Sequence, residues 1–334
     1  MFKIHPTYNK PALKELEAEH KKYWKDFSGS INISTFRSCK NISGISDPKF
    51  IPEEIFFSDI EPTLNNTSSV SFLTYKSFYT KWFSNNCFPS CYFHNVDGEF
   101  LDQELNSISF SDVEKIIKEL KYPVVFKPNR DTYGGAGVFF PKSQEELLNH
   151  LNGRKNFVVQ EKIIQHPFFN EFNPVGLNTI RVCLYRSVSD NKIHVLNCTL
   201  RMGVGGSLDN VTSGGIACYI DGSGRLNGVS IDKYGKKFQF HPDSGISFSK
   251  NIPFFSELIE SSINISSQIF YTRLMSLDFS LDINRTWRPI EVNLFDNTIY
   301  FAQNAGVPFL GVFTDEVVEY CKKNHWALFL TNRG

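Results

Sequence analysis

Asp278-Phe279-Ser280-Leu281-Asp282, with Trp287-Arg288-Pro289-Ile290-Glu291-Val292-Asn293 close behind it, decides how this chain is read. An acidic residue opens one short apolar strand. A second strand carries Glu-x-Asn on a single face, because side chains alternate along a strand. Paired as a hairpin, the two strands bring Asp278, Glu291 and Asn293 together as oxygen ligands to a cation. Such a set suits Mg2+ that is also held by a substrate's phosphates. Upstream lie Val124-Val125-Phe126-Lys127-Pro128 and Asp131-Thr132-Tyr133-Gly134-Gly135-Ala136-Gly137, which supply a phosphate side. Together the stretches predict an ATP-using enzyme.

The rest of the composition fits a folded globular protein. The chain has 334 residues, 41% hydrophobic and 15% aromatic, enough for a large core or two to three subdomains. Lys+Arg and Asp+Glu both number 35. This balance argues against broad electrostatic binding of nucleic acid or an anionic membrane. The start, Met1-Phe2-Lys3-Ile4-His5-Pro6, lacks the apolar stretch of a signal peptide. No run approaches the roughly 18 apolar residues that cross a bilayer. A cytoplasmic protein without an integral membrane segment is expected. The seven cysteines are scattered, Cys87 and Cys91 being the closest pair. A zinc site would want more ligands, and reduced buried thiols are expected.

Along the chain, residues 10–27 read as an exposed helix rich in Lys and Glu. Residues 28–70 read as loops and short helices, and the aromatic-rich stretch 71–84 as helical. Ser111-Asp112-Val113-Glu114 has the pattern of a capping box, followed by Val113, Ile116, Ile117 and Leu120 at helical spacing. Strands are expected at 123–127, 137–140 and 156–160. A second capping box, Ser143-Gln144-Glu145-Glu146, precedes Leu147, Leu148 and Leu151. The Gly loop thus lies in a strand–turn–strand of an α+β unit. Later come strand-like runs at 179–186, 192–202 and 215–220. Residues 253–275 read as one amphipathic helix with Leu258, Ile259, Ile263 and Ile269 inward. The hairpin and a helix at 314–322 follow.

The Walker A pattern and a Gly-x-Gly-x-x-Gly after a strand are both absent. Gly134, Gly135 and Gly137 in one turn allow close backbone approach to an anion, or simply make a hairpin. Lys127 ends an apolar strand, where a buried ammonium needs a partner such as phosphate. Phe157-Val158-Val159-Gln160-Glu161-Lys162-Ile163-Ile164 is a plain strand end or a hinge whose backbone pairs with an adenine edge. Arg181 and Arg201 stand in apolar strands and need acceptors. These are structural carboxylates, or a phosphate or substrate carboxylate. Asp209-Asn210-x-x-Ser213-Gly214-Gly215 adds an amide beside Arg201.

Taken in order, these segments resemble the ATP-grasp superfamily, and in particular the sugar-transfer-associated (TupA-like) ATP-grasp proteins of surface-polysaccharide biosynthesis. The matching pieces are Phe50-Ile51-Pro52-Glu53, Ile60-Glu61-Pro62-x-Leu64-Asn65, Val125-Phe126-Lys127-Pro128 and the Gly loop. They continue through Val159-Gln160-Glu161, Leu177-Asn178-Thr179-Ile180-Arg181, Arg201, Asp209-Asn210-x-x-Ser213-Gly214-Gly215, and Asp278 with Glu291-Val292-Asn293. The resemblance implies an α+β, ATP-grasp fold: a helical and loop-rich extension over 1–70, a first subdomain with a Gly-rich lid over 71–160, and a second subdomain with the metal site over 161–334. It implies ATP and Mg2+ as cofactors. Lys127 would hold the α/β-phosphates, helped by Lys76, where the family's usual Asp-Lys is Tyr75-Lys76. The lid glycines, Gln160, Glu161 and Ile163 would surround the nucleotide. Asp278, Glu291 and Asn293 would hold metal, Asp278 also touching the nucleotide, with Asp282 an alternative first acid on the same strand face. Arg201, Asn210 and Arg181 would flank the transferred phosphate.

Such a protein would be an ADP-forming carboxylate–amine ligase working through an acyl phosphate. The resemblance suggests a uronic acid of a capsule or lipopolysaccharide precursor as the acid, and an amino acid or amine as the acceptor. A sugar-hydroxyl kinase, or a non-catalytic ATP-binding accessory of a glycosyltransferase, are the alternatives.

Overall fold

The computed structural model describes residues 3–84, 88–130, 135–207, 209 and 211–326. Its N-terminal part is helical: α1 (Lys14–Trp24), α2 (Ser34–Ser43) and the short turns α3 (Glu53–Ile55) and α4 (Glu61–Leu64). Residues 71–84, expected to be helical, instead form 3-10 turns at Ser68–Thr74 and Lys76–Phe78 and one turn of helix, α5 (Tyr79–Trp82). Their aromatic rings pack on one another, Phe72 on Trp82 at 5.1 Å and Tyr79 on Phe88 at 4.7 Å. Ring packing, not helical periodicity, organises this stretch.

A four-stranded antiparallel sheet follows, in the order β2–β1–β4–β3. Its strands are β1 (Cys91–Val96), β2 (Glu99–Asp102), β3 (Val124–Pro128) and β4 (Phe157–Glu161). Helices α6 (Phe110–Glu119) and α7 (Gln144–Leu151) cover one face, driving Val113, Ile117, Leu147 and Leu151 onto Phe93, Phe126 and Phe157. The capping box of α6 starts two residues earlier than its sequence pattern suggested. Ser109 Oγ accepts the Asp112 N–H at 3.2 Å, and Asp112 accepts the Ser109 N–H at 3.3 Å. Starting there lets Phe110 meet Phe100. The expected strand at 137–140 is reduced to a single bridge, Phe126 to Phe139.

The turn α8 (Pro167–Asn170) leads to a seven-stranded antiparallel sheet, ordered β11–β10–β5–β6–β7–β8–β9. Its strands are β5 (Thr179–Arg186), β6 (Ile193–Met202), β7 (Ile216–Ile220), β8 (Leu226–Ile231), β9 (Lys237–Phe238), β10 (Leu274–Leu281) and β11 (Trp287–Asn293). On one face α9 (Phe255–Ser267) packs Leu258 and Ile265 against Ile180, Val182 and Leu277. This helix ends at Ser267, and Met275 belongs to β10. Tyr271 has φ 60°, which breaks the helix before Thr272. Of its expected inward residues, Ile263 is exposed.

The opposite face carries Cys183, Tyr185 and Leu274. It is covered by Trp24, Phe36 and Phe56 from the N-terminal helices and by α11 (Thr314–Lys323). Hence α1 is only half exposed, with His20 and Trp24 fully buried one turn apart. The short α10 (Tyr300–Gln303) joins this layer. Buried on both faces, β10 has no exposed position at all. The six cysteines among the described residues are buried free thiols, while Cys87 lies outside them. Among the described residues no helix is long and apolar enough to cross a membrane.

Candidate active site

The acidic hairpin forms as expected, with β10 and β11 antiparallel at the sheet edge. Asp278 stands opposite Glu291, and Ser276 opposite Asn293. Asp278 lies in the middle of its strand instead of opening it. Because Asp278 also pairs with Arg181 on β5, the guanidinium reaches it in bidentate fashion, Nε and Nη2 donating at 2.8 Å and 2.8 Å. Arg201 Nη2 donates to the same carboxylate at 3.0 Å. Burial pushes the Asp278 carboxyl up, but Arg181 and Arg201 together hold it at about 2. Arg201 also donates to Thr179 Oγ1 at 2.8 Å and pairs with Asp209 at 3.2 Å, and the Thr179 hydroxyl donates to Asp209. Both arginines thus meet structural carboxylates, at the edge of the face that carries Asp278, Glu291 and Asn293.

The alternative acid, Asp282, does not join this face. Its carboxylate closes the hairpin turn, accepting the N–H groups of Asn284 and Thr286 at 2.9 Å each, and pairs with Arg288 at 3.3 Å. The strand ends one residue earlier, at Leu281, and the turn amides claim the oxygens of Asp282.

The basic side of the site comes from the smaller sheet. Lys127 on β3 is buried, and burial with the neighbouring Lys76 ammonium lowers its pKa to about 7. Lys76 is brought there by Asn129. The Lys76 N–H donates to the Asn129 carbonyl at 2.9 Å, and the Ser77 N–H to Asn129 Oδ1 at 2.8 Å. Across the gap between the sheets, Lys76 Nζ donates to Glu291 Oε1 at 2.8 Å. Burial raises the Glu291 pKa, yet the Lys76 charge leaves it below the usual carboxylate value. Lys76, Tyr79, Phe88, Cys91, Lys127 and Gln160 line a narrow cleft that Ile290 of β11 closes from the far side.

Gln160 therefore faces this cleft. The Glu161 carboxylate is turned away from it, toward Arg288 and the Ser90 N–H at 2.8 Å. Ile163 lies past the end of β4, where the chain passes from one sheet to the other. Gly135 and Gly137 have φ of 78° and 74°. A Cβ on Gly137 would stand 2.9 Å from Pro128, so the turn packs closely behind Lys127. Gly134 and Asn210 lie outside the described residues.

Sequence reading missed several residues that hold the site together. Asn129 follows Lys127-Pro128 directly, but its role depends on a contact 52 residues away. Tyr79 accepts the Val292 N–H at 3.0 Å and so fixes the Glu291–Asn293 stretch. Thr179 holds Arg201, and Arg288 ties Glu161 to the hairpin. No local pattern announces these roles.

The donor set fits Mg2+ shared with phosphate. Among the described residues no three His, Cys, Asp or Glu side chains cluster for a metal, and the hairpin register puts two carboxylates and an amide, Asp278, Glu291 and Asn293, on one face. Such a set leaves coordination positions for phosphate and water. Asn293 Nδ2 is buried with no hydrogen-bond partner, which is costly unless an acceptor arrives. A phosphate oxygen would satisfy it, and the same amide turned over offers Oδ1 to a cation.

The sequence model of the family described as sugar-transfer-associated ATP-grasp matches residues 58–308, about three quarters of the chain. A comparison with curated protein sequences finds no match. Among solved structures, N5-carboxyaminoimidazole synthase from Aspergillus clavatus, with ADP and an aminoimidazole ribonucleotide, is similar at 8% identity and TM-score 0.44, covering 74% of this chain and 52% of that one. L-amino acid ligase from Bacillus licheniformis is similar at 13% identity and TM-score 0.45, covering 74% and 48%. The ATP-grasp ligase PsnB with a minimal precursor is similar at 13% and 0.45, covering 77% and 64%. The chain thus spans about half to two thirds of the length of these structures. The match over residues 58–308 makes the chain a member of the sugar-transfer-associated ATP-grasp family.

Proposed function

We propose that the chain is an ADP-forming carboxylate–amine ligase, with residues 71–160 and 161–334 as its two ATP-clasping subdomains. The observation that carries this reading is the ion pair from Lys76 to Glu291 at 2.8 Å, which joins the basic side of one sheet to the acidic hairpin of the other. A nucleotide phosphate with Mg2+ belongs at such a junction of opposite charges. Lys127 and Lys76 hold the phosphates, and Gln160 with the backbone through Ile163 holds the base. Glu291, Asn293 and Asp278 would hold the metal, which when bound would supply charge neutralisation on the transferring phosphoryl group.

Arg201 and Arg181 flank the reacting oxygens. A substrate carboxylate oxygen attacks the γ-phosphorus, the bond to the β-phosphate oxygen breaks, and ADP leaves. An amine then attacks the acyl carbon. The carbon–oxygen bond to phosphate breaks, and the nitrogen gives up a proton. Keeping water from the activated acid is a task the glycine turn at Gly135 and Gly137 would serve. The acid we favour is a uronic acid of a surface-polysaccharide precursor, acted on in the cytoplasm beside the glycosyltransferases that use it.

The test is ADP release from Mg-ATP across a panel of uronic acids and small carboxylates, with hydroxylamine as the amine. A hydroxamate from one acid establishes the ligase and names the acid. ADP with a stable phosphate ester and no hydroxamate replaces it with a kinase. No turnover on any acid replaces it with an ATP-binding accessory protein.

A further inference from the structure

In the stretch Ile60-Glu61-Pro62-x-Leu64-Asn65, Glu61 and Asn65 are buried polar residues away from the nucleotide cleft. They start and end the single turn α4, which the Asn65 N–H closes on the Glu61 carbonyl at 2.9 Å. A spacing of four on one turn puts both side chains on one face. That face meets the open end of the β10–β11 hairpin.

Asn65 uses its whole amide there. Nδ2 donates to the carbonyls of Leu274 and Leu294 at 2.7 and 2.6 Å. Oδ1 accepts the N–H groups of Arg273 and Leu274 at 3.0 and 2.9 Å. The last pair of the hairpin is Ser276 with Asn293. Past it the ladder ends, and the Asn65 amide bridges the two chains as a further rung. Glu61 extends the grip. Its Oε2 accepts the Asp296 N–H at 3.1 Å, and Oε1 accepts the Asn297 N–H and Nδ2 at 2.9 and 2.8 Å. Asp296 has φ 59°, a left-handed backbone that a non-glycine residue keeps only when its surroundings hold it.

The hairpin needs this grip. β11 is the edge strand, with β10 as its one neighbour in the sheet. The register slips between Asp278 and Phe279, which leaves Ile290 without an opposite residue. Pro289, just before it, has no N–H to give the ladder. Glu291 and Asn293 therefore follow a weak section of ladder. What fixes them lies at Val292, through Tyr79, and downstream at Leu294, Asp296 and Asn297.

We propose that Glu61 and Asn65 are positioning residues for Mg2+: by clamping the open end of the hairpin, they set Glu291 and Asn293 at the right spacing from Asp278. This rests on the reading above that these three hold the metal beside the nucleotide, and on no choice of acid or amine. Groups that orient metal ligands from behind govern metal affinity. Mg2+ demands near-octahedral geometry, so a loosened hairpin costs it more than the adaptable Ca2+.

The test is calorimetric binding of the β,γ-imido analogue of ATP to the full chain, in Mg2+, in Ca2+ and in EDTA. The variants are Glu61→Gln and Asn65→Asp, which keeps an acceptor oxygen and loses both donated bonds. Affinity should fall roughly tenfold in Mg2+ and roughly threefold in Ca2+. In EDTA, where binding rests on Lys76 and Lys127, it should change by less than about twofold. Glu17→Gln is the control. It breaks the pair with Arg37 at 2.7 Å in the same N-terminal layer without touching the hairpin, and all three affinities should hold. Thermal melts check each fold, and Glu61→Asp serves if neither variant is stable. The proposal is overturned if the variants lose affinity equally in all three conditions, if they lose none, or if Glu17→Gln matches their loss in Mg2+. Equal affinity of the wild-type chain in Mg2+ and EDTA would remove the metal reading itself, and the clamp with it.

Discussion

Lys127 on the smaller sheet and Asp278 on the larger are both buried charges, and the protein treats them oppositely. Asp278 lies between Arg181 and Arg201 and stays ionised at about 2 against an ordinary 3.8. Lys127 lies beside a second lysine and falls to about 7 against an ordinary 10.5. One charge is compensated by the fold itself. The other is compensated only in part, by Glu291 at a distance. A buried group that the fold leaves under-compensated is one that a ligand completes. The acidic side is thus a rigid frame, and the basic side is a receptor for an anion. This contrast can be tested.

The largest effect is expected from Asp278→Asn. The change removes the bidentate partner of Arg181 and one of the two carboxylate partners of Arg201 in a buried site, which costs about 3–5 kcal/mol of stability. If Asp278 holds metal as proposed, ADP release also falls roughly 10³-fold, about 4 kcal/mol on the barrier. Urea unfolding and Mg-ATP turnover measure the two. If turnover stays near wild type, Asp278 belongs to the frame alone and not to the metal site.

Lys127→Met should separate stability from activity in the other direction. Removing a poorly compensated buried charge leaves stability unchanged or raises it by about 1 kcal/mol, while turnover falls roughly 10²-fold through loss of a phosphate contact. A large stability loss would mean that Lys127 is paired structurally, and the contrast with Asp278 would dissolve.

How much of this was legible in the sequence follows from the range of each contact. The hairpin was readable because Glu-x-Asn and Asp278 sit on strands close in sequence, where alternation alone sets the face. The lysine was readable because an apolar strand ending in Lys is unusual. The Arg181–Asp278 pair spans 97 residues, and only the β5–β10 register creates it. The stretch 71–84 was misread because its aromatic rings satisfy one another. The end of α9 was misread because its apolar residues run on into β10 without a Gly or Pro between. The cavity between the N-terminal arm, α2, α3 and α10 was invisible, since its walls come from four separate segments of weakly patterned sequence.

Asn129→Ala tests a smaller part of the comparison, the link that aims Lys76. The Ser77 N–H loses its acceptor in a buried place, at about 1–2 kcal/mol of stability. With the Lys76 segment loosened, KM for ATP should rise about tenfold with kcat less affected. An unchanged KM would show that Glu291 alone positions Lys76.

The smallest effect is also the most direct reading of the Lys127 environment. Its folded pKa lies below its unfolded value, so between about pH 7 and 10.5 the folded state binds fewer protons than the unfolded one. Stability therefore climbs with pH through that window, and the penalty is fully present below it. Asp278 behaves in the opposite sense, its stabilisation being present above 3.8 and lost as pH falls through about 2. A polyphosphate beside Lys127 favours the ammonium and should draw its pKa back up. At pH 8 the free protein holds Lys127 mostly neutral, so binding ATP should take up a large fraction of one proton. Calorimetric titration in buffers of different ionisation enthalpy measures this uptake. The uptake should shrink toward pH 6, where the lysine is already charged, and vanish in Lys127→Met at every pH. An equal uptake in that variant would assign the proton to another group and leave Lys127 charged in the free protein. The basic side would then be as fully compensated as the acidic one, and the two halves of the site would not differ.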